Sequence, residues 1–299
     1  MILALRHKVN IHIVRRLIVW HHTIIMDTRR GHFFSRSLIL LTLFVLGCAP
    51  FRDSPFSDNL LSGAHNLNAA NLGALDIDTK QTLRIAVLSD PHQNYKELDN
   101  TIDDINRTAG IDFVVNLGDF TNQGYNLEYD RFIPSHERIK KPAFVVIGNH
   151  DSIGAGRSLF KKAFGALNYV IDTQYYRFVF FNSNNLELPD DFDPEWLEEQ
   201  VTSSTLPVYI FTHVNLRDPE RFKGEDKEIF ERVLTHANTK LVMNGHNHVF
   251  NLMRRNTLYS ADQIEVPRVE GKNWLLIEIG PADMKMQKAV GQQFQEFAL

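Results

Sequence analysis

The chain has 299 residues, 43% of them hydrophobic and 23% charged, with a formal net charge of −4. That composition is too apolar for a disordered chain and supplies enough side chains for one large core or two small ones. With a single cysteine, no disulfide can form within the chain, so cysteine pairing says nothing about its compartment.

The first 47 residues are a different kind of sequence from the rest. Arg29, Arg30 and Arg36 lead into an apolar run, residues 38–46, broken only by Thr42. The run is too short to span a bilayer as a helix and has the length of a signal-peptide core. Val45-Leu46-Gly47-Cys48 follows it and resembles a bacterial lipobox, in which the cysteine is lipidated and becomes the first mature residue. A plain secretory signal or an uncleaved anchor with an incidental cysteine is the alternative. Residues 1–25 fit no part of a signal, and Met26 is the expected translation start.

Seven basic residues and one acid, Asp27, precede Cys48, which leaves 25 basic against 35 acidic side chains and a net charge of −10 in the mature part. That balance argues against a nucleic-acid polymer as partner and against a polybasic membrane contact. Membrane attachment would come through lipid on Cys48, placing the protein in the bacterial cell envelope, exported and lipid-anchored. No feature marks an obligate protein partner. Residues 51–81, rich in Asn, Ser, Asp and Ala, read as a flexible tether, so that residues 48–81 form the lipidated cysteine and linker and residues 82–299 the domain.

From residue 83 the pattern becomes regular. Residues 83–89 (LRIAVLS), 113–118 (FVVNLG) and 143–148 (AFVVIG) are short apolar runs expected as strands buried on both faces. Leu98, Ile102 and Ile105 are spaced as on one helix face, and helices are also expected over residues 125–139 and 157–164. Residues 169–173 and 176–182 read as an antiparallel pair. Asp193-Pro194 opens a helix with an N-cap and a proline in the first turn. Residues 207–212 (PVYIFT) and 241–244 (LVMN) are expected strands around a helix over 225–236, and strands at 249–253, 257–261 and 274–279 finish the chain. Alternating strands and helices early, with clustered strands late, predict an α/β fold of two mixed sheets flanked by helices.

The ends of the buried runs carry the chemistry. After the first comes Asp90-Pro91-His92, after the second Gly118-Asp119, after the third Gly148-Asn149-His150-Asp151, after PVYIFT His213, and after LVMN Gly245-His246-Asn247-His248. Each block has an ordinary alternative: Asp90 and Asp119 as helix caps, Asn149 as a turn residue, the histidines as polar residues at strand ends. Five strands delivering metal-capable groups at their carboxyl ends, where ligands bind in open α/β sheets, form a joint pattern that separate alternatives do not reproduce.

The set D-x-H, GD, GNHD, H, GH-x-H resembles the calcineurin-like metallophosphoesterases, in the family's order. The run Gly118-Asp-Phe-Thr-Asn-Gln-Gly is similar to that of cyclic-nucleotide-phosphodiesterase-like members, and Asn122 stands where purple acid phosphatases have a tyrosine. The resemblance implies a four-layer α/β/β/α sandwich. It also implies two divalent ions (Mn, Fe or Zn): Asp90, His92 and His248 at one, Asn149, His213 and His246 at the other, Asp119 between them. His150 is implied to act on the substrate. Asp151 is implied to orient His150, although a turn or cap role is equally open. The implied reaction is phosphodiester or phosphomonoester hydrolysis by hydroxide held between the ions. A metal-binding or scaffolding lipoprotein of the same fold is the alternative. Residues 182–193 and 214–226 are the candidate selectivity loops. Arg217, Arg221 and Lys223 in the second face either a phosphate or solvent.

Overall fold

The computed structural model describes residues 54–290 and 293–299, a compact unit from Pro55 onward. The signal region, Cys48 and the candidate start at Met26 lie outside the described residues. Among those described, no helix is long and apolar enough to cross a membrane.

Among the described residues, twelve strands form two six-stranded sheets. The first contains β1 (Leu83–Leu88), β2 (Phe113–Asn116), β3 (Ala143–Val145), β10 (Trp274–Ile279), β11 (Met284–Val290) and β12 (Gln293–Ala298), in the order β12-β11-β10-β1-β2-β3. The second contains β4 (Tyr169–Asp172), β5 (Arg177–Phe181), β6 (Val208–Thr212), β7 (Thr239–Asn244), β8 (Asn251–Met253) and β9 (Asp262–Glu265), in the order β4-β5-β6-β7-β9-β8. Both sheets are mixed. Parallel pairing joins β1-β2-β3 and β5-β6-β7-β9, while β10, β11, β12, β4 and β8 are added by antiparallel pairing.

Alternation along the strands splits the core into three layers. Leu83, Ile85 and Val87 of β1 face Phe178, Phe180, Phe211 and Met243 of the other sheet. Ala86 and Leu88 point the opposite way, onto α2 (Tyr95–Arg107), α3 (Asn126–His136) and α4 (Gly156–Ala163). Val179, Ile210 and Val242 meet α5 (Pro194–Thr202) and α6 (Glu225–Thr235) on the far side. The outcome is the expected helix/sheet/sheet/helix sandwich. Helix α2 shows why the helices lie as they do: Leu98, Thr101, Ile102 and Ile105 form its one buried stripe. Asp193 accepts the Trp196 amide at 2.9 Å and starts α5 as a capped, proline-led helix.

Three expectations need correcting. The described part of residues 51–81 is not a tether. It holds α1 (Leu67–Gly73), and Ile77 lies in the central core. The asparagines that read as linker composition close the outer edge of β3. Asn68 bonds both the N–H and the C=O of Val145, at 3.0 and 3.2 Å, and Asn71 accepts the Ala143 amide. Side-chain amides here stand in for a missing strand. Residues 257–261 are not a strand. Asn256 Oδ1 accepts the amides of Leu258 and Tyr259, making a turn, and the strand begins at Asp262. Strands β11 and β12, an antiparallel hairpin, went unread because their alternation carries many polar residues.

Candidate metal centre and active site

All five blocks lie at carboxyl ends of β1, β2, β3, β6 and β7, and their side chains converge. Asp90, His92 and His248 form one group and Asp119, His213 and His246 a second, with the potential ligand atoms of each group within 4.8 Å of one another. His92 Nε2 lies 3.0 Å from His248 Nε2, and His248 Nε2 lies 3.5 Å from Asp90 Oδ1. In the second group His213 Nε2 is 3.2 Å from Asp119 Oδ2. Asn149 Oδ1 joins this group, 3.1 Å from His213 Nε2 and 3.0 Å from His246 Nδ1. Asp119 Oδ2 also lies 4.0 Å from His92 Nε2, so one carboxylate oxygen faces both groups.

The backbone is strained where these residues sit. Among the described residues seven non-glycine positions have positive φ. Five of them are Asp90 (52°), His92 (45°), Asp119 (54°), His246 (72°) and His248 (60°). Left-handed backbone costs an L-residue about 1–2 kcal/mol. Such strain at five converging side chains marks a site held by its surroundings against local preference. Close approach explains two of the glycines. A Cβ on Gly245 would overlap Ser89 Oγ and Asp90 Oδ2, and one on Gly148 would overlap the Asp119 carboxylate and amide.

The ring nitrogens turned away from the centre are held by carbonyls: His92 Nδ1 by Thr121 O at 3.2 Å, His213 Nδ1 by Leu117 O at 2.8 Å and His150 Nδ1 by Asn122 O at 2.8 Å. A carbonyl only accepts, so each Nδ1 carries a proton, and in the neutral imidazole Nε2 is then left with the lone pair. Asp90 and Asp119 do not cap helices. Their oxygens accept the amides of His246 and His150, tying blocks to one another.

Burial sets the electrostatics. It opposes a charged His213, yet the Asp119 carboxylate outweighs it and holds the imidazole up at about 9. Burial and the neighbouring His213 push His246 down to about 4. Burial also opposes ionised Asp119, but the His213 ion pair keeps that carboxyl below its usual range.

His150 lies at the edge of the constellation, its ring 5.1 Å from that of His92 and edge-on to it. Asp151 differs from the expectation that it orients His150. It is fully buried, and its oxygens accept the amides of Asp119 (2.7 Å), Thr121 (2.8 Å) and Gly148 (3.0 Å) and the Thr121 hydroxyl. Its carboxylate thus fixes the backbone of the GD and GN turns rather than the imidazole.

The loops flanking the site are tied together. Arg221 and Glu187 pair at 2.7 Å and Asn185 bonds Arg221 O, joining the two candidate selectivity loops. Arg221 is close enough to His246 to help depress it. Arg217 instead stacks over Tyr259 at 4.8 Å, and both line, with Lys223, Phe222 and Lys227, a cavity of about 570 Å³. Glu265, absent from the sequence-based set, accepts the side-chain amides of Asn215 (2.8 Å) and Asn247 (2.9 Å), joining the loop after His213 to the GHNH turn.

A model of the calcineurin-like phosphoesterase family matches residues 83–250. The match spans more than half of the chain and contains every residue of the two groups, and the chain belongs to this family. No curated protein matches it significantly in sequence. Among solved structures, a dimetal phosphatase from Danio rerio is similar at 14% identity and a TM-score of 0.59, over 72% of this chain and 98% of that one. A purple acid phosphatase from yellow lupin (Lupinus luteus) seeds is similar at 13% identity and 0.58, over 73% of this chain and 53% of that one. GAP50, described as the anchor in the inner membrane complex of Plasmodium, is similar at 12% and 0.55, over 74% and 89%. At these identities the likeness is one of fold.

Proposed function

We propose that this chain is a dinuclear-metal phosphohydrolase acting on phosphodiesters or phosphomonoesters. One observation carries the reading: six His and Asp side chains from four strand ends form two ligand groups, and a single Asp119 oxygen faces both. The residues fit two cations. His92 and His248 place Nε2 atoms 3.0 Å apart, where a shared cation satisfies both lone pairs. Nitrogen and oxygen donors without thiolate suit Mn, Fe or Zn at an open site. Asp90, His92 and His248 would hold one ion, Asn149, His213 and His246 the other, and Asp119 both.

Two bound ions supply Lewis-acid polarisation of the phosphoryl group and acidify water. The chain's own residues do the rest. Asp119, ionised by its surroundings, balances the charge that collects at the centre. His150 keeps its Nδ1 proton on Asn122 O, which leaves Nε2 to meet the substrate; a second proton taken up at Nε2 would be the one passed to the departing oxygen, with the Nδ1 proton staying on Asn122 O. Asp151 holds the two turns that carry Asp119 and His150 in place. The GDFTNQG run supports the cyclic-nucleotide-phosphodiesterase-like branch, and the modest loops between blocks support an open site.

We further propose that the chain is anchored in the cell envelope through lipid on Cys48, a reading supported by the basic start, the short apolar run and Leu-Gly-Cys. Labelling with a radioactive fatty acid should mark the wild type and not Cys48→Ser; label on neither overturns it. For the activity, the purified chain is loaded with Mn²⁺ and offered cyclic nucleotides, aryl diesters, aryl monoesters, phospholipids and phosphopeptides. Turnover of at least one class is expected, and bound metal without turnover of any would favour a scaffold instead.

A further inference from the structure

Glu128 lies in the first turn of α3, buried, with 5% of its surface exposed. Among the described residues it has no ion-pair partner within 4.0 Å. Its carboxylate nevertheless takes four donors. Oε1 accepts the amide of Asn122 at 3.0 Å and the side chain of Gln93. Oε2 accepts the amides of Gln123 at 3.1 Å and Tyr125 at 2.9 Å.

A helix cap explains only one of these bonds, that to Tyr125, the residue before the helix. The other three reach outside the helix. The Asn122 N–H belongs to the same peptide group as the Thr121 C=O, which holds His92 Nδ1. The Gln123 N–H belongs to the same peptide group as the Asn122 C=O, which holds His150 Nδ1. Each Glu128 oxygen therefore bonds the N–H end of one peptide group whose C=O end bonds an imidazole. In a trans peptide the two ends point in opposite directions, so each group relays the carboxylate to a ring. A charge on the N–H side polarises the peptide and strengthens its carbonyl as an acceptor. Gln93 adds a fourth bond from the loop that carries His92.

We propose that Glu128 is a positioning residue for the phosphoesterase site. Its two oxygens, acting through two consecutive peptide groups, hold His92 and His150 with Nδ1 protonated and Nε2 presented to the centre. The inference rests on the proposed hydrolysis only for its kinetic consequence, because the tautomers are fixed whether or not the protein turns over substrate. Partners hydrogen-bonded directly to a ligating imidazole change activity or metal affinity by about 10–100-fold when lost, and Glu128, which acts on two rings through one peptide group each, is expected within that range.

The test uses the zinc-loaded full-length protein with ¹⁵N-labelled histidine. Two-bond ¹H–¹⁵N spectra of the wild type should show the Nδ1–H tautomer at His92 and His150. Glu128→Gln, which replaces one acceptor oxygen by a donor, should shift at least one ring towards a mixture. It should also lower kcat by about 10–100-fold with KM within about threefold. Asp130→Asn is the control. Asp130 sits on the same helix and accepts the amides of Leu61 and Ser62, both at 2.9 Å. Its variant should lose stability without moving the spectrum or kcat. An Nε2–H tautomer at His150 in the wild type would overturn the proposal, and that measurement stands even if Glu128→Gln fails to fold. So would a Glu128→Gln protein that merely loses stability as Asp130→Asn does, with unchanged rings and kcat.

Discussion

The two halves of the centre use the same residue types and differ in what surrounds them. The half made by Asp119, His213 and His246 is the deeper one: the His213 side chain is 0% exposed and that of Asp119 1%, with His246 half-buried. The half made by Asp90, His92 and His248 opens outward through its histidines: Asp90 is buried, but the His92 side chain is 12% exposed and that of His248 36%. His213 follows β6, inside its sheet, and is locked by Leu117 O. His248 lies two residues further out on the turn after β7. Similar donors drawn from one sheet edge thus yield an inner position fixed by packing and an outer one reached from solvent.

Removing what the halves share should have the largest effect. Asp119→Asn takes away the negative charge facing both groups, and kcat on any accepted phosphoester should fall by about 10³-fold or more, as for groups that act as a unit. Full activity of this variant would dissolve the link between the halves. His150→Ala should lower kcat by about 10²–10⁴-fold with both ions still bound, as read by metal analysis alongside kinetics. Loss of metal instead would move His150 from the substrate to the ligand set.

Single-ligand variants sharpen the contrast between the halves. His248→Ala should release the ion of the outer half and His213→Ala that of the inner half, each leaving about one ion per chain on metal analysis. In the wild type, dialysis against a chelator should empty the outer half first. Simultaneous loss of both ions would show that depth does not separate them.

The smallest expected effect concerns His136, which lies away from the centre. It is buried against Phe132 and Phe164, and neither ring nitrogen has a hydrogen-bond partner among the described residues. Burial lowers it from 6.5 to about 4. Below 6.5 the unfolded chain therefore binds a proton that the folded chain refuses. Stability is full above that value and falls as pH drops towards 4, by about 3 kcal/mol at most. His136→Leu should flatten the fall in melting temperature between pH 6.5 and 4, leaving the site untouched. An unchanged pH profile would refute the buried neutral state.

The sequence patterns exposed the centre more clearly than its support. Every residue of the two groups follows an apolar run, so strand order alone gathers them at one edge. Asp151 was legible in the GNHD block, with a turn role left open, but its partners there, and Glu128 altogether, were beyond that kind of pattern because most of the groups they bind are backbone amides, which no side-chain motif reports. Residues 55–81 were misjudged for a related reason. Asn68 and Asn71 complete the edge of β3 through their side-chain amides, and a composition that serves this purpose looks like a linker. The positive φ angles at Asp90, Asp119 and His246 were equally hidden, since only the glycines beside two of them hinted at the crowding.

The central claim is that these strand ends build one centre for two ions that hydrolyses phosphoesters. Metal analysis of the full-length protein, titrated with Mn²⁺ while hydrolysis of an aryl phosphodiester and an aryl phosphomonoester is followed, tests it most directly. Two ions per chain are expected, with activity rising as the second binds and both ions lost in Asp119→Ala. Saturation at one ion or none, or two bound ions with no hydrolysis of either ester, would contradict it.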